Sequence, residues 1–182
     1  MSIRFPEQFP ALSSERLLLR ELEPADIPAW FKRASDPDVA LLSGDPIPED
    51  VEVVREWLEL HLKRFRDQLS IRWAIVPTDE STSVGSIGIT NLKTGVEATA
   101  ELGAVIARAY WNKGLATEAA ERVIDYCFSE LGLKTLRADA IEFNGASRRV
   151  LEKLGFTEMG VIDDYERAGD KTYVGYLYEL KR

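Results

Sequence analysis

A short glycine-containing loop in the middle of the chain has the residue types of an anion-binding site. Residues 99–107 predict a strand, and residues 114–117 open a predicted helix. The first amides of a helix have no intrahelical acceptor, and the helix dipole favours negative charge at that end. Gly114 lets the backbone approach an anion closely, and Lys113 adds positive charge. We therefore predict an anion site formed by six residues: Asn112, Lys113, Gly114, Leu115, Ala116 and Thr117.

The same loop has a plainer interpretation as an ordinary connection between a strand and a helix. A lone Gly-x-Ala favours that interpretation, whereas the flanking strand and helix favour the anion site. Other phosphate-binding patterns are absent from the sequence, which has no Gly-x-x-x-x-Gly-Lys-Ser/Thr and no Gly-x-Gly-x-x-Gly after a predicted strand. The sequence therefore argues against a nucleotide hydrolase and against a dinucleotide-dependent oxidoreductase.

Length and composition favour one globular domain over residues 1–182. The chain has 182 residues, of which 45% are apolar and 30% charged, which is enough for a single core. No apolar run approaches the length of a membrane span, and no apolar segment of a signal peptide follows Arg4. We therefore expect a cytoplasmic protein without a membrane partner.

Charge and the rare residue types narrow the function further. The net charge of −8 argues against nucleic acid as a partner, because binding phosphates needs a basic face. An acidic surface fits a cationic amine substrate and general solubility equally well. The single cysteine, Cys127, excludes an internal disulfide, and the single histidine, His61, excludes a His-rich metal site. We expect no metal.

The periodicity of apolar residues predicts a mixed α/β (α+β) fold. A first strand over residues 16–22 precedes a helix that Asp36-Pro37 ends, a turn-rich loop at residues 43–48 and a helix over residues 49–66. Three strands in an antiparallel meander, a helix, a strand, a helix and two last strands follow. This order predicts a mixed, mostly antiparallel central sheet of about seven strands with helices on both faces. A polar loop over residues 163–171 joins the last two strands.

Two residues with reactive side chains are predicted to be structural. His61 lies at the edge of the apolar face of the second helix, where no carboxylate or cysteine motif surrounds it. We interpret it as a half-buried, hydrogen-bonded histidine in preference to a catalytic one. Cys127 is interpreted as a small core side chain, because no flanking cation lowers its pKa.

Four segments in a fixed order carry a family resemblance. They are Glu101-Leu-Gly103, Tyr110-Trp-Asn-Lys-Gly-Leu-Ala-Thr-Glu-Ala119, Asn144-Gly-Ala-Ser147 and Val150-Leu-Glu-Lys-Leu-Gly-Phe156. Together they resemble the GNAT superfamily of N-acetyltransferases, in particular its ribosomal-protein N-terminal (RimJ/RimL-type) branch. The order of elements matches over about residues 14–180, nearly the whole chain. The superfamily's Gln/Arg-x-x-Gly-x-Gly/Ala signature falls on Trp111-Asn-Lys-Gly-Leu-Ala116, with tryptophan at its first position.

The resemblance implies a GNAT fold and acetyl-CoA as the cosubstrate. The anion loop would then hold the pyrophosphate of the coenzyme. The preceding strand would pair its backbone with the pantetheine arm and polarise the thioester oxygen through an amide; the residues implied are Val105, Ile106 and Ala107. Asn144 would contact the pantetheine or the thioester region.

Proton transfer is the less well-defined half of the implied site. The resemblance makes Glu101 the candidate base, although an exposed strand-edge carboxylate explains it about as well. Many members place a tyrosine acid at the position of Leu151. Ser147 therefore becomes the candidate donor to the departing thiolate, with an ordinary helix-start residue as the alternative.

The implied reaction is direct attack of a primary amine on the thioester in a ternary complex. A protein N-terminal α-amine is the leading acceptor, and the alternatives are a small amine (polyamine, amino acid or antibiotic) and a catalytically weak acyl-CoA-binding module. In this architecture the acceptor groove would be walled by Trp30, Trp57 and the loops at residues 36–48 and 163–171. The protein is expected to be a monomer or a homodimer.

Overall fold

The computed structural model describes residues 3–166 and 172–182. Within them, eight strands form one sheet: β1 (Leu12–Ser13), β2 (Leu17–Glu21), β3 (Ile71–Pro77), β4 (Gly85–Lys93), β5 (Thr99–Ile106), β6 (Thr135–Ile141), β7 (Thr157–Glu166) and β8 (Thr172–Lys181). The helices are α1 (Ile27–Ala34), α2 (Pro37–Ser43), α3 (Val51–Arg66), α4 (Leu115–Tyr126) and α5 (Gly145–Lys153). A π-helical turn, Cys127–Leu131, extends α4 to Gly132, which has a left-handed φ of 83°. Short 3₁₀ turns cover Pro24–Asp26 and Arg108–Tyr110.

The sheet confirms the predicted fold class. Its order is β1-β2-β3-β4-β5-β6-β8-β7, and every neighbouring pair is antiparallel except β5 and β6. The predicted count of about seven strands was one too low. The additional strand, β1, has two residues, which is too short to show an alternating pattern.

The parallel pair opens into a cleft. Pairing between β5 and β6 covers only Thr99–Glu101 against Thr135–Arg137. Beyond it, residues 102–106 of β5 and 138–141 of β6 run on without pairing to each other. Parallel strands end at the same edge of a sheet, so the loops after β5 and β6 lie on the two sides of this cleft.

Helices pack on both faces of the sheet, as predicted. On one face, α4 buries Val123 and Ile124 against inward-facing strand residues such as Trp73 and Leu102. On the other face, α1 and α3 form a second core with the strands; its buried members are Leu22, Ile27, Trp30, Val54, Leu58, Ala74 and Val76. Cys127 is fully buried in the first core, where burial raises the pKa of its thiol, and its structural interpretation is confirmed.

Two predicted loops are partly regular structure. Residues 36–48 contain α2, because Asp36 caps a new helix: its Oδ1 accepts from the amides of Asp38 (3.0 Å) and Val39 (3.4 Å), and Pro37 occupies the first turn. The same Asp-Pro pair that ends α1 thus starts α2. Residues 163–166 of the other predicted loop belong to β7, and residues 167–171 lie outside the described part of the chain.

Candidate active site

The loop between β5 and α4 has an anion-binding backbone. Asn112 and Gly114 both adopt left-handed conformations, with φ of 59° and 78°, and Gly114 is the N-cap of α4. Alternation of left- and right-handed residues turns successive amides toward one side of the chain. Trp111 fastens the loop to the strand, since its indole N–H donates to the Ile106 carbonyl at 2.8 Å. Tryptophan at the first signature position therefore holds the loop in place.

The amides of this loop are available to a ligand. Within residues 3–166 and 172–182, the N–H groups of Asn112, Lys113 and Gly114 have no backbone acceptor. The next three amides open α4 and have no acceptor within that helix. An added Cβ at Gly114 would meet only the Arg16 guanidinium at 3.5 Å, so the glycine is needed for its φ and not to avoid a clash. All six residues of the predicted anion site lie on this one loop and helix start, and they fit a pyrophosphate.

An ion pair that the sequence did not suggest supports the loop from the turn between β1 and β2. Arg16 donates through Nη1 to the Lys113 carbonyl at 3.1 Å and pairs with the Glu118 carboxylate at 2.6 Å. Ser14 also donates to Glu118 at 2.7 Å. Burial acts to raise the pKa of Glu118, but these hydrogen bonds hold it below its usual value. The sequence could not indicate the contact between Arg16 and Glu118, because the two residues lie about one hundred positions apart.

The backbone of β5 directs alternate residues into the cleft. Ala107 donates its amide to the Val84 carbonyl at 2.8 Å, and its own carbonyl accepts from Tyr110. By the alternation of an antiparallel ladder, Val105 also turns its backbone toward β4, where it lies opposite Ser86. Of the three predicted pantetheine residues, only Ile106 therefore faces the cleft with its backbone. Sequence reasoning missed Ala104, which does so too, because the direction depends on the register with β4.

Glu101 lies where the cleft begins. It is the last β5 residue paired with β6, opposite Arg137. Its side chain is exposed, and its Oε2 accepts from the Asn91 amide nitrogen at 2.7 Å. Asn91 has a left-handed φ of 49° and lies where the register of the β4–β5 ladder shifts. The Asn91 side chain therefore orients the Glu101 carboxylate. A carboxylate that is simply exposed at the edge of a strand needs no such partner.

Asn144 and Ser147 lie on the opposite side of the cleft, after β6. Asn144 caps α5, and its Oδ1 accepts from the Ser147 amide at 3.1 Å. In the part of the chain that the structure describes, the Ser147 hydroxyl has no hydrogen-bond partner of its own. Leu151 is buried in the core. Ser147 thus keeps a free hydroxyl at the start of the helix, although its role stays a prediction.

Among the described residues, His61 has no hydrogen-bond partner for acid–base chemistry. It is half-buried and stacks on Trp30, with ring centroids 5.8 Å apart. Burial, together with Arg72 and Arg64, lowers the pKa of His61 to about 3, so the ring is neutral near pH 7. We predicted that His61 is hydrogen-bonded. No described residue, however, is a partner for its buried Nδ1. Among the described residues there is also no group of three or more metal-ligating side chains and no helix able to cross a membrane.

The fold and the loop together define a class of enzyme. A mixed sheet that opens between two parallel strands, with an anion loop at the start of the next helix, is the arrangement of an acyltransferase that binds coenzyme A. Residues 16–157 match the family model of the acetyltransferase (GNAT) domain. The chain therefore belongs to the GNAT family of acetyltransferases.

Individual relatives agree with this assignment. The chain is 31% identical over 172 residues to an uncharacterised N-acetyltransferase, YoaA, of Bacillus subtilis, covering 94% of this chain and 97% of that protein. A GNAT-family acetyltransferase from Bacillus anthracis superposes with a TM-score of 0.81 at 28% identity, covering 94% and 98% of the two chains. Mycobacterium smegmatis RimJ, solved with CoA-disulfide, shares the fold with a TM-score of 0.83 at 22% identity, covering 95% and 88%.

These findings confirm that the chain is an N-acetyltransferase with the GNAT fold. Acetyltransferases of this fold use acetyl-CoA as the donor and acetylate amines.

Proposed function

We propose that this enzyme acetylates a primary amine, most specifically a protein N-terminal α-amine, by direct attack on acetyl-CoA in a ternary complex. The observation that carries the proposal is the position of Glu101 at the start of the cleft, held by Asn91. The anion loop lies at the other end of the same strand. The N-terminal acceptor is supported by the RimJ/RimL-type motifs in the sequence.

The coenzyme half of the site consists mainly of backbone groups. When bound, acetyl-CoA supplies an acetyl group that is already activated as a thioester. The amides of residues 112–117 would hold its pyrophosphate. The cleft-facing backbone of Ala104 and Ile106, with Asn144 across the cleft, would line the pantetheine arm. The Ala104 amide, which the β4 ladder does not use, is the proposed donor that polarises the carbonyl oxygen.

The chain's own residues would then move two protons. An α-amine has a pKa of about 8 and a lysine amine one of about 10.4, so most of either is protonated at neutral pH. Glu101 is the proposed base that accepts this proton, and Asn91 fixes its orientation. Ser147 is the proposed donor toward the leaving sulfur. Cys127 cannot be a nucleophile, because it is fully buried and burial raises its pKa.

A catalytically weak acyl-CoA-binding module is the rival from another class. Leu151, buried where many members have a tyrosine acid, is the observation that favours it. Within the enzyme class, a small amine is the rival acceptor.

Calorimetry with acetyl-CoA, followed by thiol release with a panel of amines, tests the proposal. We expect binding and turnover, with peptides that have free N-termini among the substrates. Binding without turnover on any amine would support the module, and turnover on small amines alone would support the rival acceptor. Failure to bind acetyl-CoA would overturn the proposal.

Glu101→Gln is expected to lower kcat/KM by about 100-fold near pH 7, within the range usual for a general base. The defect should shrink to a few-fold at about pH 9.5, where an α-amine is already neutral. The measurement is a pH profile of thiol release for both proteins. Glu97→Gln, which removes an exposed carboxylate just before β5, serves as the control and should behave as wild type. Parallel profiles for wild type and Glu101→Gln would reject the base assignment.

A further inference from the structure

Two arginines on the α1 and α3 face of the sheet have no ion pair with any residue that the structure describes. Arg33, on α1, is only 4% exposed; within the described residues its guanidinium makes no hydrogen bond, and its Nη1 is buried. Arg72, on β3, donates through Nη1 to the Ser86 hydroxyl at 3.2 Å, but its buried Nε has no partner. In the part of the chain that the structure describes, no carboxylate lies within 4 Å of either. We call Arg33 and Arg72 together the arginine cluster.

Two carboxylates, those of Asp26 and Asp45, influence the pKa values of the arginine cluster without forming an ion pair with it. Asp26 influences Arg33 from a distance, but its two oxygens already accept from Arg20 at 2.8 and 3.0 Å. Asp45 acts on both arginines from an exposed position after α2 without forming an ion pair. Burial lowers the pKa of Arg33 to about 10 and lowers that of Arg72, and Arg72 further lowers that of Arg33.

Unpaired buried cations are unfavourable for folding, so the cluster is not explained by stability. Aromatic rings enclose it on one side, since the Arg33 guanidinium lies 5.9 Å from the Trp30 ring and Trp30 stacks on His61. His61 is neutral near pH 7 and adds no charge. The local environment, unlike the acidic chain as a whole, is therefore cationic, and no carboxylate of the described residues forms an ion pair with it.

The arginine cluster lies on the same face of the sheet as Glu101. Arg72 is paired with Gly88, and Gly88 is paired with Gly103 on β5. Directly paired residues project to one face, and Glu101, two residues before Gly103, projects to that face as well. Because neighbouring strands lie about 4.8 Å apart, about 10 Å separate the Cα atoms of Arg72 and Gly103.

Glycines occupy the β4 and β5 positions of the row that begins at Arg72. A Cβ added at Gly103 would meet no atom within 4 Å, whereas one added at Gly88 would meet the Ile71 carbonyl at 2.8 Å and Arg72 itself at 3.1 Å. The Arg72 guanidinium reaches over β4, where it donates to Ser86; Ser86 is paired with Val105 on β5 and therefore lies on the side of Gly88 away from Glu101. A molecule that extends from Glu101 across this face of the sheet would meet no side chain at Gly103 or Gly88 before it meets Arg72.

We propose that Arg33 and Arg72 bind a carboxylate of the acceptor, so that the preferred substrate is an amine that also carries a carboxylate. This inference rests on the proposed acetyl transfer to amines and adds the acceptor's second functional group. The carboxylate belongs either to a small amino acid or to an acidic residue close to a peptide N-terminus. Arginine is suited to either, because its planar guanidinium donates two parallel hydrogen bonds to a carboxylate.

Two matched acceptor pairs test the proposal and distinguish its two sources. The small-molecule pair is 4-aminobutanoate and 4-aminobutanamide; the peptide pair is Ser-Glu-Ala-Ala-amide and Ser-Gln-Ala-Ala-amide. In at least one pair, we expect the carboxylate member to have a kcat/KM about tenfold higher or more. Arg33→Gln and Arg72→Gln should each reduce this preference to about twofold, mainly by raising KM for the carboxylate member.

Arg66→Gln is the matched control, because Arg66 is exposed on α3 and its loss changes the net charge equally. It should leave the preference unchanged. Equal turnover of both members of both pairs by wild type, or a preference that survives both cluster variants, would overturn the inference while leaving amine acetylation intact. Failure to acetylate any amine would instead remove the proposed function itself.

Thermal unfolding gives a readout that does not depend on turnover. Arg33→Met removes a buried unpaired charge at similar volume, so we expect the Tm to rise by roughly 2–4 °C. Glutarate, a dicarboxylate probe without an amine, should raise the Tm of wild type and not that of Arg33→Met. A lower Tm for Arg33→Met, or no effect of glutarate on wild type, would indicate a structural arginine and contradict the proposal.

Discussion

Replacement of Gly114 by Asp is expected to weaken acetyl-CoA binding by about 100-fold or more. Gly114 has a φ of 78°, and the left-handed conformation costs an L-residue roughly 1–2 kcal/mol. The new carboxylate would also stand at the N-cap of α4, among the amides that are free to receive the pyrophosphate. Repulsion between two anions in this position adds to the conformational cost.

Two controls separate these causes, with dissociation constants measured by calorimetry. Gly114→Ala keeps the conformational cost without the charge, so its loss of affinity should be smaller, about tenfold. Gly95→Asp makes the same substitution at a glycine with a φ of 118° in open space before β5 and should bind as wild type. Wild-type affinity in Gly114→Asp would mean that the pyrophosphate binds elsewhere.

The part of the site that sequence could predict is the part formed by consecutive residues. Asn112, Gly114 and the opening of α4 are adjacent in the chain, so the residue types alone indicate close backbone approach at Gly114 and free amides beside it. The strands and long helices follow from periodicities of two and 3.6, which depend only on which face is buried. The cap of α5 is equally local, since Asn144 lies directly before the first residue of that helix.

What sequence could not predict depends on pairing between distant segments. The choice of Ala104 over Val105 as a cleft-facing residue follows from the register of β5 against β4. The contact of Asn91 with Glu101 needs an irregularity in that same ladder. Similarly, Arg33 and Arg72 come from a helix and a strand about forty residues apart, and nothing local marks either arginine as unpaired.

The register of β5 also makes the proposed carbonyl-polarising amide testable with a single substitution. Proline has no N–H, and inside a sheet it normally breaks the ladder. Ala104 is an exception here, because its pair with Ile87 is one of the positions in the alternating ladder whose amides do not bond across to β4. Ala104→Pro should therefore remove one cleft-facing donor while leaving the antiparallel pairing of the strand in place.

We expect Ala104→Pro to lower kcat by about 100- to 1000-fold, the usual effect of losing one donor to a developing oxyanion. The affinity for acetyl-CoA should fall less than tenfold, because the proposed pyrophosphate contacts lie in the loop after the strand. Ala104→Gly keeps the amide and should retain kcat within a few-fold. A proline variant with wild-type kcat would exclude this amide. Loss of coenzyme binding equal to the loss in kcat would instead assign the amide to holding the pantetheine arm.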